Sequence, residues 1–226
     1  MGEGEKICVL VDGGNFHHLV LKKLGIQESE FSFDSFINFL ADGRKIIDKG
    51  KRFYVGTVRE KEGDIRAKKA MSKQIAFLTR LNSFGWEIKT SKLRKRTEKI
   101  IIDDRVVGYK DILGKGIKEI EFERTREKGI DVKMATDLIA GAVDDKYDTA
   151  IVISSDTDLI PALDWVRNRK NKKIEYVGFS IIVDPVEKKK NTRPSQGMIN
   201  YSDIQRILVV ADLKQFIKKK IQSDRI

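Results

Sequence analysis

The chain has one cysteine, three prolines and no long apolar run. The lone cysteine, Cys8, excludes a disulfide framework and a zinc site built on thiolates. It lies inside an apolar run, where it reads as a small core side chain. A membrane helix needs about 20 apolar residues, and no stretch approaches that. The first apolar run, residues 7–11, is too short for a secretory signal and leads straight into a motif. Gly2 hints at myristoylation, but Lys6 stands where that signal wants Ser or Thr. A cytoplasmic protein with no membrane partner is the default expectation. The dinucleotide fingerprint G-x-G-x-x-G is missing too. So is any serine or cysteine nucleophile motif that would recruit His17 and His18, for which a structural role is favoured.

What the chain does have is charge. It carries 45 Lys and Arg against 34 Asp and Glu, a net +11 with a pI near 9.6. Such a balance points to nucleic acid or another anionic surface; the bland alternative is a charge-rich soluble protein. At 226 residues and 40% hydrophobic content, the chain can build one large domain with an elaboration.

Strand-like runs alternate with helical patterns. Strands are expected at 6–11, 52–58, 86–90, 149–153 and 173–179. Helices are expected at 15–24, around Phe36, Phe39 and Leu40, and at 64–84, 131–142 and 159–169. This alternation predicts an α/β fold with a mostly parallel sheet covered on both faces. The middle differs. Residues 100–102 and 105–109 read as a hairpin with an acidic turn at Asp103 and Asp104, and 118–122 adds a strand. Residues 92–128 are therefore read as a basic, β-rich insertion into a single 1–226 domain. Residues 186–226 read as a basic loop, with 187–195 a mobile stretch, and a partly helical close from 201 to 221.

Acid at strand ends carries the chemistry. A carboxylate at the end of a buried strand is costly unless paired or holding a metal. Asp12 ends the first strand and Asp156 follows the strand at 149–153. In an open parallel sheet, ligands bind beyond the carboxyl ends of the strands, so the two are expected to meet. Asp12 alone would repel a phosphate, but a hard divalent cation between them reverses that. The glycines in Asp12-Gly13-Gly14-Asn15 let backbone approach closely, and Asn15 can donate to a phosphate oxygen; a plain turn capped by Asn15 is the competing reading. Asp131 and Asp137 flank one helical stretch but point about 120° apart, so one metal cannot hold both equally. Asp131 is the favoured ligand, with a first-turn carboxylate as its plainer alternative. Asp137 is an outer or second-metal group, or a partner of a nearby Lys or Arg. Asp156-Thr157-Asp158 is a D-x-D pair at a strand end. An aspartyl phosphatase also uses D-x-D, but on its first strand, where this chain offers Gly14 instead.

Taken in order, Val11-Asp12-Gly13-Gly14-Asn15-Phe16, Lys128-Gly129-Ile130-Asp131 with Asp137, and Ser154-Ser155-Asp156-Thr157-Asp158-Leu159 with Pro161 resemble the NYN-domain family, in its LabA-like branch of the PIN-like nucleases. The likeness runs from about residue 6 to 179. Ser155 and Leu159 depart from the family's usual Gly and Phe without touching a carboxylate. The resemblance implies a Rossmann-like three-layer α/β/α sandwich and Mg²⁺- or Mn²⁺-dependent cleavage of RNA by an endoribonuclease. It implies a metal and catalytic set of Asp12, Asp131, Asp156 and Asp158, with Asn15, Asp137, Ser154 and Ser155 around it. Lys92, Arg94, Lys95, Arg96, Arg167, Arg169, Lys170, Lys172, Lys188, Lys189 and Lys190 are the candidate RNA-binding cations. A non-catalytic RNA-binding protein and a small phosphate-ester hydrolase are the alternatives, and a homodimer is left open.

Overall fold

A computed structural model describes residues 4–57, 65–92, 94–126, 129–183 and 191–218. Strand β1 (Lys6–Asp12) shows why the sheet is central. Ile7, Val9 and Val11 enter one buried cluster, while Cys8 and Leu10 enter another on the opposite face. Successive strand side chains point to opposite faces, so a strand apolar at every position must be covered twice. Strand β6 (Thr149–Ile153) is likewise buried along its whole length.

Six strands form the sheet. They are β1, β2 (Lys45–Thr57), β3 (Glu87–Lys92), β6, β7 (Lys173–Ser180) and β8 (Ile204–Val209), in the order β3-β2-β1-β6-β7-β8. Every neighbouring pair is parallel. One face carries α1 (Gly13–Phe16), a π-helical turn (His17–Leu21), α2 (Lys22–Leu24), α3 (Phe33–Ala41), α4 (Ile65–Ser83) and the C-terminal segment. The other carries α6 (Ile130–Val143), α7 (Ile160–Lys170) and α8 (Gln196–Asn200). The expected α/β/α sandwich is what the chain forms. Strand order reverses between β1 and β6, and that is the switch point where such sheets bind ligands.

The inserted region departs from expectation. A separate antiparallel ribbon pairs β4 (Arg94–Ile101) with β5 (Glu119–Arg126). Residues 105–109 are not a strand. The Asp103 carboxylate accepts from the Arg105 backbone N–H at 3.1 Å and from its guanidinium at 2.6 Å, which folds the chain back locally. Val107 is then 99% exposed, and a short helix α5 (Tyr109–Gly114) carries the chain back to β5.

The close of the chain also differs. The stretch read as partly helical contains β8, which adds to β7, before α9 (Val210–Lys214). Asp203 fixes that strand's entry, accepting from Ile174 N–H at 2.8 Å while its own N–H donates to Ile174 C=O. Of the loop read as mobile, 187–190 lies outside the described residues, but Thr192 is buried and bridges to Ile181.

Candidate active site

The switch point brings the first and third motifs together. Val11 is paired with Ile153, so Asp12 and Ser154 leave adjacent strands side by side. Ser154 Oγ donates to Asp12 Oδ2 at 3.0 Å, and Asn15 N–H donates to Asp12 Oδ1 at 2.9 Å. Asp12 is thus an N-cap, only 8% exposed, with both oxygens held. The serine hydroxyl also accepts from Asp156 N–H at 3.1 Å, and Asp156 Oδ1 accepts from Asp158 N–H at 2.9 Å. Asn15 Oδ1 accepts from Ser155 N–H at 3.0 Å, tying the two strand ends across the switch point.

Packing fixes the first turn. A Cβ on Gly13 would lie 2.5 Å from the Phe53 ring and 2.9 Å from Tyr54 C=O, so only glycine fits there. Phe16 packs with its ring 5.2 Å from Phe31 and Phe33 and 5.5 Å from Phe179. That aromatic cluster seats the helix that presents Asn15.

Asp131 arrives from the second motif. Gly129 at φ 85° is the N-cap of α6, a left-handed position that disfavours side chains, and it places Asp131 in the first turn. Burial first, then the negative charges of Asp156 and Asp158, push the Asp131 carboxyl above its ordinary range. Three carboxylates from two motifs therefore act on one another. Among the described residues, no three His, Cys, Asp or Glu side chains converge tightly enough to chelate an ion. The donors are nevertheless all oxygen, as hard cations prefer, and such ions keep waters in the remaining positions. The mutual repulsion at Asp131 is what a divalent charge would relieve.

Asp137 goes elsewhere. It accepts from Tyr54 O–H at 2.8 Å and lies 3.6 Å from Lys89 Nζ and 4.0 Å from Arg52, the ion-pair role weighed from the sequence. Helical phase set this, turning it away from Asp131. His17 Nδ1 meets Glu28 Oε1 at 2.7 Å.

The cations divide. Helix α7 begins at the site and runs about 16 Å away from it. Arg167, Arg169, Lys170 and Lys172 therefore lie toward the opposite edge of the sheet. Arg167 pairs with Asp203 at 2.8 Å, and Lys172 with Asp145 and, at 3.6 Å, Asp148. Arg96 is exposed on the ribbon. The side chains of Lys92, Arg94 and Lys95, and all of Lys188, Lys189 and Lys190, lie outside the described residues.

Two features were missed from the sequence. Tyr176 O–H lies 3.1 Å from Ser155 Oγ and accepts from Ser195 N–H at 3.0 Å, clamping the segment before α8 onto the Asp156 loop. Its signal was a single hydroxyl inside an apolar strand. The other is α4, which carries Arg66, Lys68, Lys69, Lys73 and Arg80 and no acid. It follows the carboxyl end of β2, so its first turns lie at the site edge of the sheet.

The NYN domain profile matches residues 6–199. The chain belongs to the NYN domain family. With that, it joins the PIN-like nuclease superfamily; NYN domains act on RNA, and NYN and PIN-like nucleases generally use divalent metal ions. The NYN fold here is similar to a crystal structure of a protein of unknown function from Vibrio parahaemolyticus. The TM-score is 0.54 at 20% identity, covering 92% of this chain and 95% of that one. That likeness concerns the fold alone. No curated protein matches the chain significantly. No helix among the described residues is long and apolar enough to cross a membrane.

Proposed function

We propose that this NYN domain, of the LabA-like branch, is a divalent-metal-dependent ribonuclease that hydrolyses RNA phosphodiester bonds internally. One observation supports the reading: Asp12 is held by Ser154 at the switch point of the parallel sheet, and Asp131 from a separate motif feels the charges of Asp156 and Asp158. Asp12, Asp131, Asp156 and Asp158 would hold the ion. When bound, Mg²⁺ or Mn²⁺ lowers the pKa of a water and stabilises charge on the phosphate.

The chain's own residues set the rest. Ser154 and the Asn15 N–H fix the Asp12 carboxylate before any ligand arrives, so little ordering remains to be done on binding. Asn15 Oδ1 is committed to Ser155 N–H, which directs its amide N–H₂ toward an acceptor such as a phosphate oxygen. Asp131, held above its ordinary carboxyl range, ionises fully once positive charge is near. The basic α4 supplies the long-range attraction that brings a polyanion to an acidic floor.

The test is cleavage of 5′-labelled single-stranded RNA with Mn²⁺, yielding 5′-phosphate and 3′-hydroxyl ends. Loss of cleavage with EDTA and in Asp156→Asn is expected. Cleavage that survives both contradicts the assignment. The absence, among the described residues, of a tight three-ligand cluster favours a second reading, an RNA-binding protein without turnover. That reading predicts salt-sensitive RNA binding and no metal-dependent product.

A further inference from the structure

Beside Asp12 lies a cavity of about 550 Å³, within the roughly 300–1,000 Å³ range of small-molecule sites. Gly13 forms part of its floor, with Phe53 and Val55 from the end of β2. Phe77 and Gln74 of α4 form one wall and Glu28 the other. The cavity exists because α4 sits lightly on the sheet: of its 19 residues only Leu81 is buried, and Ala70 and Ala76 are too small to fill the gap. Its lining is mostly apolar and aromatic, with polar groups at the rim. Two of those are already oriented. Gln74 Nε2 donates to Gly56 C=O at 2.8 Å, and Glu28 is engaged by His17 at 2.7 Å. Lys73 and Arg80 line the same cavity, on a helix with five cations and no acid.

These features select an occupant. A peptide or lipid would meet the aromatic floor but would not explain the all-basic helix. A free phosphate would meet the cations but not the half-buried Phe77 ring, against which the buried Phe53 packs edge-on at 5.6 Å. An unpaired nucleobase on a phosphate backbone uses both. Single-stranded nucleic acid is bound by this combination of stacking faces and a basic track. Gly13 puts the cavity one residue from Asp12. We infer that the cavity seats an unpaired base of the RNA strand close to the bond positioned at Asp12, while Lys73 and Arg80 contact the neighbouring phosphates. This rests on the ribonuclease reading for the identity of the strand. It adds a preference that the strand be single there, because a paired base must first give up its pairing and stacking to enter.

The test measures binding rather than cleavage. The probe is a fluorescein-labelled single-stranded RNA of twelve nucleotides, in EDTA, followed by anisotropy with the full chain. Ala70→Trp fills the cavity from an exposed helix position, and Phe77→Leu removes the ring at similar volume. Each is expected to weaken binding about tenfold, the scale of one base stack, and to leave binding of the matching duplex unchanged. A strand made abasic at the seated position should bind the parent as weakly and be indifferent to Ala70→Trp. Equal binding of the intact strand by parent and both variants overturns the inference while leaving the ribonuclease reading intact. Failure of the parent to bind the strand overturns the inference, while the ribonuclease reading stands or falls on cleavage with Mn²⁺.

Discussion

Carboxylates stand toward both edges of the sheet, Glu175 within a strand and Asp131 on the helix that covers it, and they are treated in opposite ways. Glu175, the third residue of β7, is fully buried and meets two guanidiniums, Arg206 Nε at 2.6 Å and Arg44 at 2.8 Å. Asp131, at the carboxyl edge, feels burial and the charges of Asp156 and Asp158. The first arrangement matches its carboxylate with opposite charge and belongs to the fold. The second concentrates like charge at the switch point, an arrangement that a bound cation would relieve.

The comparison can be broken by mutation. Glu175→Ala leaves the half-buried Arg206 and Arg44 guanidiniums without this carboxylate, and urea unfolding should show a loss of about 1–3 kcal/mol. Asp156→Asn, which removes repulsion, should leave stability unchanged or raise it while eliminating cleavage. A destabilised Asp156→Asn would erase the distinction between the two edges.

Metal should sharpen it. At a hundred times its dissociation constant, Mn²⁺ is expected to raise unfolding stability by about 2.7 kcal/mol, and to give no such gain to Asp156→Asn. Ser154→Ala frees Asp12 Oδ2 from its hydroxyl and should lower metal affinity or turnover by roughly 10–100-fold, with the fold intact by circular dichroism.

The smallest effect concerns pH. Asp131 binds its proton more tightly folded than unfolded, so the folded state holds more protons between the ordinary and the raised value. Stability without metal should therefore fall as pH rises through that window, and Asp131→Asn should flatten the fall. A slope unchanged in the variant would locate the effect elsewhere.

Much of this was readable in the residues. Runs apolar at every position, such as those of β1 and β6, announced a doubly covered parallel sheet, and the topology rule then brought Asp12 to Ser154-Ser155-Asp156. Helical phase correctly separated Asp131 from Asp137. Other features depended on contacts distant in sequence. Strand β8 is short and mostly exposed, and its pairing with β7 and the Asp203 bonds make it a strand. The ribbon was displaced because Asp103 grips Arg105 rather than turning a hairpin. Arg167 and Lys172, read as RNA-binding cations, stand at or just past the far end of α7, because a charge run says nothing about which end of a helix faces the site. The basic face of α4 was visible but was passed over for denser clusters.

Mn²⁺ binding followed by electron paramagnetic resonance tests the acidic floor most directly. The native chain should bind one or two ions, with binding lost in both Asp12→Asn and Asp156→Asn and preserved in Asp137→Asn, whose carboxylate serves Tyr54. Undiminished Mn²⁺ binding by Asp12→Asn and Asp156→Asn would contradict the assignment.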